Sequence, residues 1–252
     1  MSELPDPPDV WARLRRATDA RIGLGRSGGA LATAPMLALQ YAHALARDAV
    51  HAPLDVRAVV LALDGLETIE VESQATDRYA YLTRPDLGRR LSPASAARLH
   101  RDRFDLAVVL ADGLSAAAVA AGGPRLAHAL LTRLPGWTIA PIVVATQARV
   151  ALGDEVGGQL GAEIVVVLIG ERPGLSAADS LGVYITWKPA VGRLDSQRNC
   201  ISNIRPGGLS IDEAAGRIAW LLGAARRLRI TGVGLKDGYE RASAISGPAR
   251  DP

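Results

Sequence analysis

One cysteine, one phenylalanine, two lysines and four histidines are all that 252 residues supply of those types, and each scarcity closes a class of function. With Cys200 as the only cysteine, an internal disulfide framework and a cysteine-cluster metal site are both excluded. His43, His51, His100 and His128 lie far apart, with no HExxH and no DxD pattern at metal-loop spacing, so no protein-built metal site is expected. Neither Lys188 nor Lys236 follows a glycine-rich loop in GxxxxGK form, which removes Walker-type phosphate binding. Ser115 in DGLSA and Ser176 in GLSAA both miss the GxSxG elbow. A net charge of +3 with a single Phe offers weak attraction for nucleic acid and few platforms for stacked bases. No apolar run is long enough for a membrane span, and MSELPDPPDVWARLRR lacks the apolar core of a signal peptide. The expectation is a cytoplasmic protein with neither membrane nor nucleic-acid partner.

What is present is an ordinary soluble composition, 48% hydrophobic and 22% charged, in a chain long enough to bury a full core. The stretch AEIVVVLIGERPGL from Ala162 to Leu175 is the most telling. Its apolar run from Ile164 to Ile169 suits a strand buried on both faces of a parallel sheet, and Glu171 and Arg172 follow at its carboxyl end, where open α/β sheets bind ligands. Strands are also expected at Glu67 to Glu72, Asp105 to Ala111, Trp137 to Ala145 and Leu181 to Trp187. Helices should fill the intervals: one opening at Ser92-Pro93 and running to about Arg101, an alanine-rich one to about Leu134, and Val150 to Leu160. A last helix starts at Ser210 with Glu213 completing a capping box and ends near Leu228. Such alternation implies an α/β fold: a Rossmann-like, mostly parallel sheet with helices on both faces.

Before it, Pro5, Pro7 and Pro8 make an extended arm, and helices are expected over Val10 to Ile22 and Pro35 to Val50. Residues 1–55 therefore read as an arm and small helical domain, and 56–252 as the Rossmann-like domain, whose tail from Ser243 is polar and loose. Two helices of this size cannot make a core alone and must dock on the main domain or on another chain. Gly23, Gly25 and Gly28 satisfy GxGxxG, but arginine-rich helical periodicity and not a strand precedes them. The stretch reads as a turn and not as a dinucleotide fingerprint.

Among possible site residues, Asp112 reads as a turn or cap, and Asp154 and Glu155 as favourable charges in a first helical turn. Glu171 is either an ion-pair partner of Arg172 or an acceptor for the amides of a ligand. Cys200 would ordinarily fill a core, yet Arg198, Asn199, Ser202, Asn203 and Arg205 around it suggest a surface that meets something. The residues by themselves thus describe a Rossmann-like binding module without a complete catalytic set. A free-standing nucleotide-binding module and a basic nucleic-acid binder remain as alternatives.

Five segments carry a resemblance: RIGLGRSG (21–28), YLTRPDLGRRL (81–91), DGLS (112–115), LGAEIVVVLIGERPGL (160–175) and NCISNI (199–204). Together they resemble the small subunit of ethanolamine ammonia-lyase. The resemblance implies a subunit of an adenosylcobalamin-dependent lyase that converts ethanolamine to acetaldehyde and ammonia. It implies a barrel-type large subunit that binds ethanolamine and holds the catalytic residues, while this chain supplies none and helps enclose the cofactor at the interface. By motif, the implied cofactor contacts are Val150 in QARV, Glu171 in GERPGL and Cys200 in NCISNI. No histidine here stands in an Asp-x-His-x-x-Gly motif, since Tyr41, Ala49, Arg98 and Leu126 precede the four histidines by two places. A base-on cofactor is therefore implied. So is a cytoplasmic setting, inside a bacterial microcompartment in hosts that build one.

Overall fold

Aliphatic side chains that alternate between two faces set the central layer of this protein. The computed structural model describes residues 10–18 and 20–239; the expected proline arm and polar tail lie outside them. Its first elements are helices α1 (Val10–Arg15), α2 (Thr33–His51) and α3 (Val56–Ala62), strand β1 (Thr68–Glu72) and helices α4 (Arg78–Thr83) and α5 (Pro93–Ala96). There follow β2 (Phe104–Ala111), α6 (Ala116–Leu131), β3 (Ile142–Thr146), α7 (Leu152–Leu160), β4 (Ala162–Gly170), β5 (Leu181–Trp187), β6 (Arg198–Ile204) and α8 (Ile211–Leu228). The six strands make one sheet in the order β1-β3-β2-β4-β5-β6. The first four in that order run parallel, and β5 and β6 are antiparallel additions, so the expected mostly parallel α/β sheet is the fold found.

Alternation is plain in the two central strands. Leu106, Val108 and Leu110 of β2 and Ile164, Val166 and Leu168 of β4 pack with α3, α6 and α8, and their neighbours Ala107, Val109, Val165 and Val167 pack with α7 on the opposite face. Because β2 and β4 are covered twice they are apolar from Leu106 to Ala111 and from Ile164 to Ile169. On the second face α7 lies over β2 and β4. Tyr184 of β5 is left half-buried there and Cys200 of β6 exposed.

Several elements differ from expectation for local reasons. Only residues 171–180 separate β4 from β5, too few for a helical crossover, so β5 turns back antiparallel. RNCISNI, not anticipated as a strand, is the outer strand β6, with Ile201 and Ile204 turned to the core. β3 begins after Pro141, which lacks the N–H that a ladder needs. The helix at Ser92 stops after one turn, although the Ser92 cap forms, because Arg98 and Leu99 bond back three residues instead of four. α1 is shorter than its periodicity suggests, and beyond it Gly23, Gly25 and Gly28 all have left-handed φ, the conformation of turns.

Candidate functional site

Two glycines bring the carboxyl ends of β2 and β4 into contact. The Leu114 N–H donates to the Gly170 carbonyl at 3.0 Å. A Cβ on Gly170 would stand 2.0 Å from the Ser115 carbonyl oxygen, and one on Gly113, whose φ is +58°, would stand 2.2 Å from the Gly170 carbonyl oxygen. No other residue fits at either place, so GERPGL and DGLS are one structural unit.

Asp112 ties the loop after β3 to this unit. Its buried carboxylate accepts from the Gln147 N–H and the Ala148 N–H, both at 2.9 Å, and pairs with the Arg78 guanidinium at 3.3 Å. Burial pushes the Asp112 carboxyl above its usual range, while the two amides and Arg78 pull it back. The loop so held carries Arg149 and Val150. The Arg149 N–H donates to the Gly88 carbonyl at 2.8 Å and its Nη2 to the Tyr81 carbonyl at 2.9 Å. The Tyr81 ring is clasped between the Arg78 and Arg149 guanidiniums, each 4.6 Å from its centroid, and its hydroxyl donates to the Ala148 carbonyl. Arg78 also donates through Nε to the Val50 carbonyl at 2.7 Å, joining the end of α2 to the same assembly.

Glu171 stands on the other side of the cleft. Its Oε2 accepts from Ser180 Oγ at 2.5 Å and from the Asn203 N–H at 3.2 Å, whereas Oε1 accepts no hydrogen bond among the described residues. Gly182 makes room for it, since a Cβ there would lie 3.0 Å from Oε1. Tyr184 is the strand partner of Cys200, directly opposite it across β5 and β6. Partial desolvation raises the Cys200 thiol above its usual value, Tyr184 pulls it back and nearby Glu171 adds to the rise.

These residues line three adjoining hollows open to the surface. The central one, of about 320 Å³, is bordered by Tyr81, Leu114, Arg149, Val150, Glu171 and Tyr184. One of about 520 Å³ extends past Arg149, Val150 and Tyr184 to Arg89, Arg193 and Asp195. Another, of about 440 Å³, passes between Arg149, Arg172 and the α2 residues His43 and His51. The structure therefore brings Val150 and Glu171 to one hollow, and Cys200 adjoins it through Tyr184. Arg172 is not paired with Glu171; it lines the rim.

Other residues turn out differently from their sequence reading. Asp154 is more than a helix-start charge: it is buried and bonded to the equally buried Arg198 at 2.6 Å. Its neighbour Glu155 receives Arg90 and the Leu91 N–H, each at 3.0 Å, and so anchors the 81–91 segment. Tyr81, Arg78, Arg149 and Tyr184 were not singled out from the sequence. For Tyr81 and Arg149 the only signal was membership of the motifs YLTRPDLGRRL and QARV, and Arg78 and Tyr184 lie in neither, because contacts between residues some 70 apart leave no periodic trace. Among the described residues no group of three His, Cys, Asp or Glu could hold a metal ion.

Desolvation pushes Tyr81 and Tyr184 up to about 12, with Asp112 adding to the rise at Tyr81 and Cys200 and Glu171 at Tyr184. Both folded values exceed the ordinary 10.0, so the stability these two phenols contribute is whole below pH 10 and is lost as pH rises through about 12. An alkaline titration followed by tyrosinate absorbance should show Tyr81→Phe and Tyr184→Phe each deleting signal from the late phase. Deletion from an early phase would contradict the burial described.

Comparison with known proteins adds the following. The family model described as ethanolamine ammonia-lyase light chain (EutC) matches residues 8–236. The ethanolamine ammonia-lyase small subunit of Azotobacter vinelandii is 52% identical over 257 residues, covering 97% of this chain and 95% of that relative. Small subunits from Xanthomonas campestris pv. campestris, at 52% identity over 96% of this chain and 93% of the relative, and from Pseudomonas fluorescens, at 52% over 92% and 88%, are similar to the same extent.

Proposed function

The chain belongs to the ethanolamine ammonia-lyase light-chain family, and from that membership we propose that it walls one side of an adenosylcobalamin whose other side belongs to a large partner chain. In this reading the partner binds ethanolamine and holds the catalytic residues, and helices α1 and α2 form a small unit beside the Rossmann-like domain. The observation that carries the proposal is the cleft at the carboxyl ends of β2, β3 and β4. Val150 and Glu171 line it, Tyr184 pairs across the strands with Cys200, and a carboxylate oxygen there has no partner among the described residues.

The donor set suits such a group. A corrin rim presents amide N–H groups around an apolar ring, which calls for a fixed carboxylate acceptor and close apolar contacts. Glu171 is fixed through Oε2, so its Oε1 is held ready to accept; Val150 offers an apolar edge; Cys200 offers a small neutral surface. Arg149, shared by all three hollows, is placed to meet an anionic part of the ligand such as the phosphodiester of a base-on nucleotide tail. When bound, adenosylcobalamin supplies a radical through homolysis of its cobalt–carbon bond. This chain's residues bind and orient, and with the partner chain they keep water out. The same reading places the protein in the cytoplasm, or in a microcompartment where the host builds one. Among the described residues no helix is long and apolar enough to cross a membrane.

The test is a titration of the reconstituted two-chain complex with adenosylcobalamin. Glu171→Gln should weaken binding about tenfold to a hundredfold, the loss of one charge-assisted hydrogen bond of about 1.5–3 kcal/mol, while KM for ethanolamine is unchanged. Unaltered cofactor affinity would overturn the role given to Glu171. Tight binding of NAD or a nucleotide by the chain alone would favour the free-standing nucleotide module instead.

A further inference from the structure

A helix of 19 residues is marginal in water by itself and relies on the face it buries. Only Ala42 and Ala46 of α2 are buried, which is little anchorage. Along another side of the helix, Leu37, Tyr41 and Leu45 follow at intervals of four, one above the other, and are 58%, 68% and 46% exposed. Val10, Trp11 and Leu14 of α1 are exposed as well. Of the sixteen large apolar side chains exposed among the described residues, eight fall between Val10 and Leu45, about a seventh of the chain. Such a concentration marks a surface that another body covers.

We infer that the Leu37, Tyr41 and Leu45 stripe is the docking face for the large chain of the lyase, received in an apolar groove with a carboxylate-rich rim. The inference rests on the function proposed above. Charge selects the occupant. Residues 10–55 carry Arg13, Arg15, Arg16, Arg21, Arg26 and Arg47 against three aspartates, so a second copy of this chain would oppose like charges, whereas an acidic rim would complement them. Position agrees with charge. A neighbouring side of α2 supplies His43, Arg47 and His51 to the hollow shared with Arg149 and Arg172, and Arg21 donates to the Leu175 carbonyl at 3.1 Å. A chain that grips α2 therefore lies beside the cleft and can cover it.

The experiment uses the full chain with Leu37→Gln, Tyr41→Gln and Leu45→Gln combined, mixed with the large chain of the same enzyme. Affinity should fall about thirtyfold, with the circular dichroism and the thermal midpoint of this chain unchanged. Leu61→Gln with Val233→Gln, which removes equally exposed apolar groups elsewhere, should leave affinity as it was. If the triple variant loses helicity, Tyr41→Gln alone carries the comparison. Native affinity in these variants would overturn the docking face and leave the cleft reading standing. Failure of the unaltered chain to join the large chain would overturn both. Self-association of the native chain that the triple variant abolishes would overturn the choice of occupant.

Discussion

Asp112→Ala is expected to remove about 3–5 kcal/mol of stability from this chain and to weaken adenosylcobalamin binding in the assembled enzyme beyond what that loss explains. The carboxylate is 2% exposed and has three partners, two of them backbone N–H groups of one short loop. Removing it strands both amides, at about 1–3 kcal/mol each, and leaves the Arg78 guanidinium, already mostly buried, without its counter-charge. Gln147 has a φ of +52°, a conformation that a non-glycine residue keeps only when its surroundings insist on it. With the clamp gone, Gln147 keeps only a long bond from Arg78 to its side chain, and Arg149 and Val150, two and three residues on, are less firmly placed in the cleft. Denaturant unfolding measures the first effect and cofactor titration the second. Asp112→Asn, which keeps one acceptor and loses the charge, should fall between wild type and alanine in both. Stability within 1 kcal/mol of wild type would mean that the loop is held by something else.

Asp112 also shows why the sequence disclosed the scaffold better than the site. Buried strands such as Ile164 to Ile169 and the capping box at Ser210 and Glu213 are local patterns, fixed by residues close together in the chain, and they survive folding as read. Glu171 at the end of β4 was legible for the same reason, because a strand's carboxyl end can be located from its own residues. A buried clamp is different. Asp112 and the amides it serves are 35 and 36 residues apart, and in sequence an aspartate before a glycine looks like any turn. The link from Cys200 to the cleft runs through Tyr184, a pairing that depended on β6 being a strand, and its seven residues, most of them polar, gave no such signal. The one-turn helix at Ser92 is the reverse case: a correct cap whose helix the packing of Leu99 into the sheet face cut short.

Arg198→Leu should be as costly as loss of Asp112, at about 3–5 kcal/mol, for a reason that a second substitution can isolate. The Arg198 and Asp154 side chains are each 2% exposed and meet at 2.6 Å, and the same guanidinium donates to Thr186 Oγ1 at 3.1 Å and to the Arg193 carbonyl at 2.8 Å. Leucine would leave the Asp154 carboxyl desolvated with no cation, and burial already pushes it above its ordinary value. Replacing both partners, Asp154→Leu with Arg198→Leu, takes away the unpaired charge and should recover most of the stability, since a buried ion pair contributes little net against apolar groups of similar size. The cycle therefore separates the cost of an orphaned charge from the worth of the pair. Recovery of stability should not restore the cleft, however. Arg198 holds the loop at Arg193 and Asp195, which walls the larger basic hollow, and it stands two residues before Cys200 on the same strand. A double variant that unfolds like wild type yet binds adenosylcobalamin more weakly would show that this buried pair is kept for the shape it gives the second face of the sheet, where α7 lies over β2 and β4 and the Asp154–Arg198 pair ties it to β6 and the neighbouring loop.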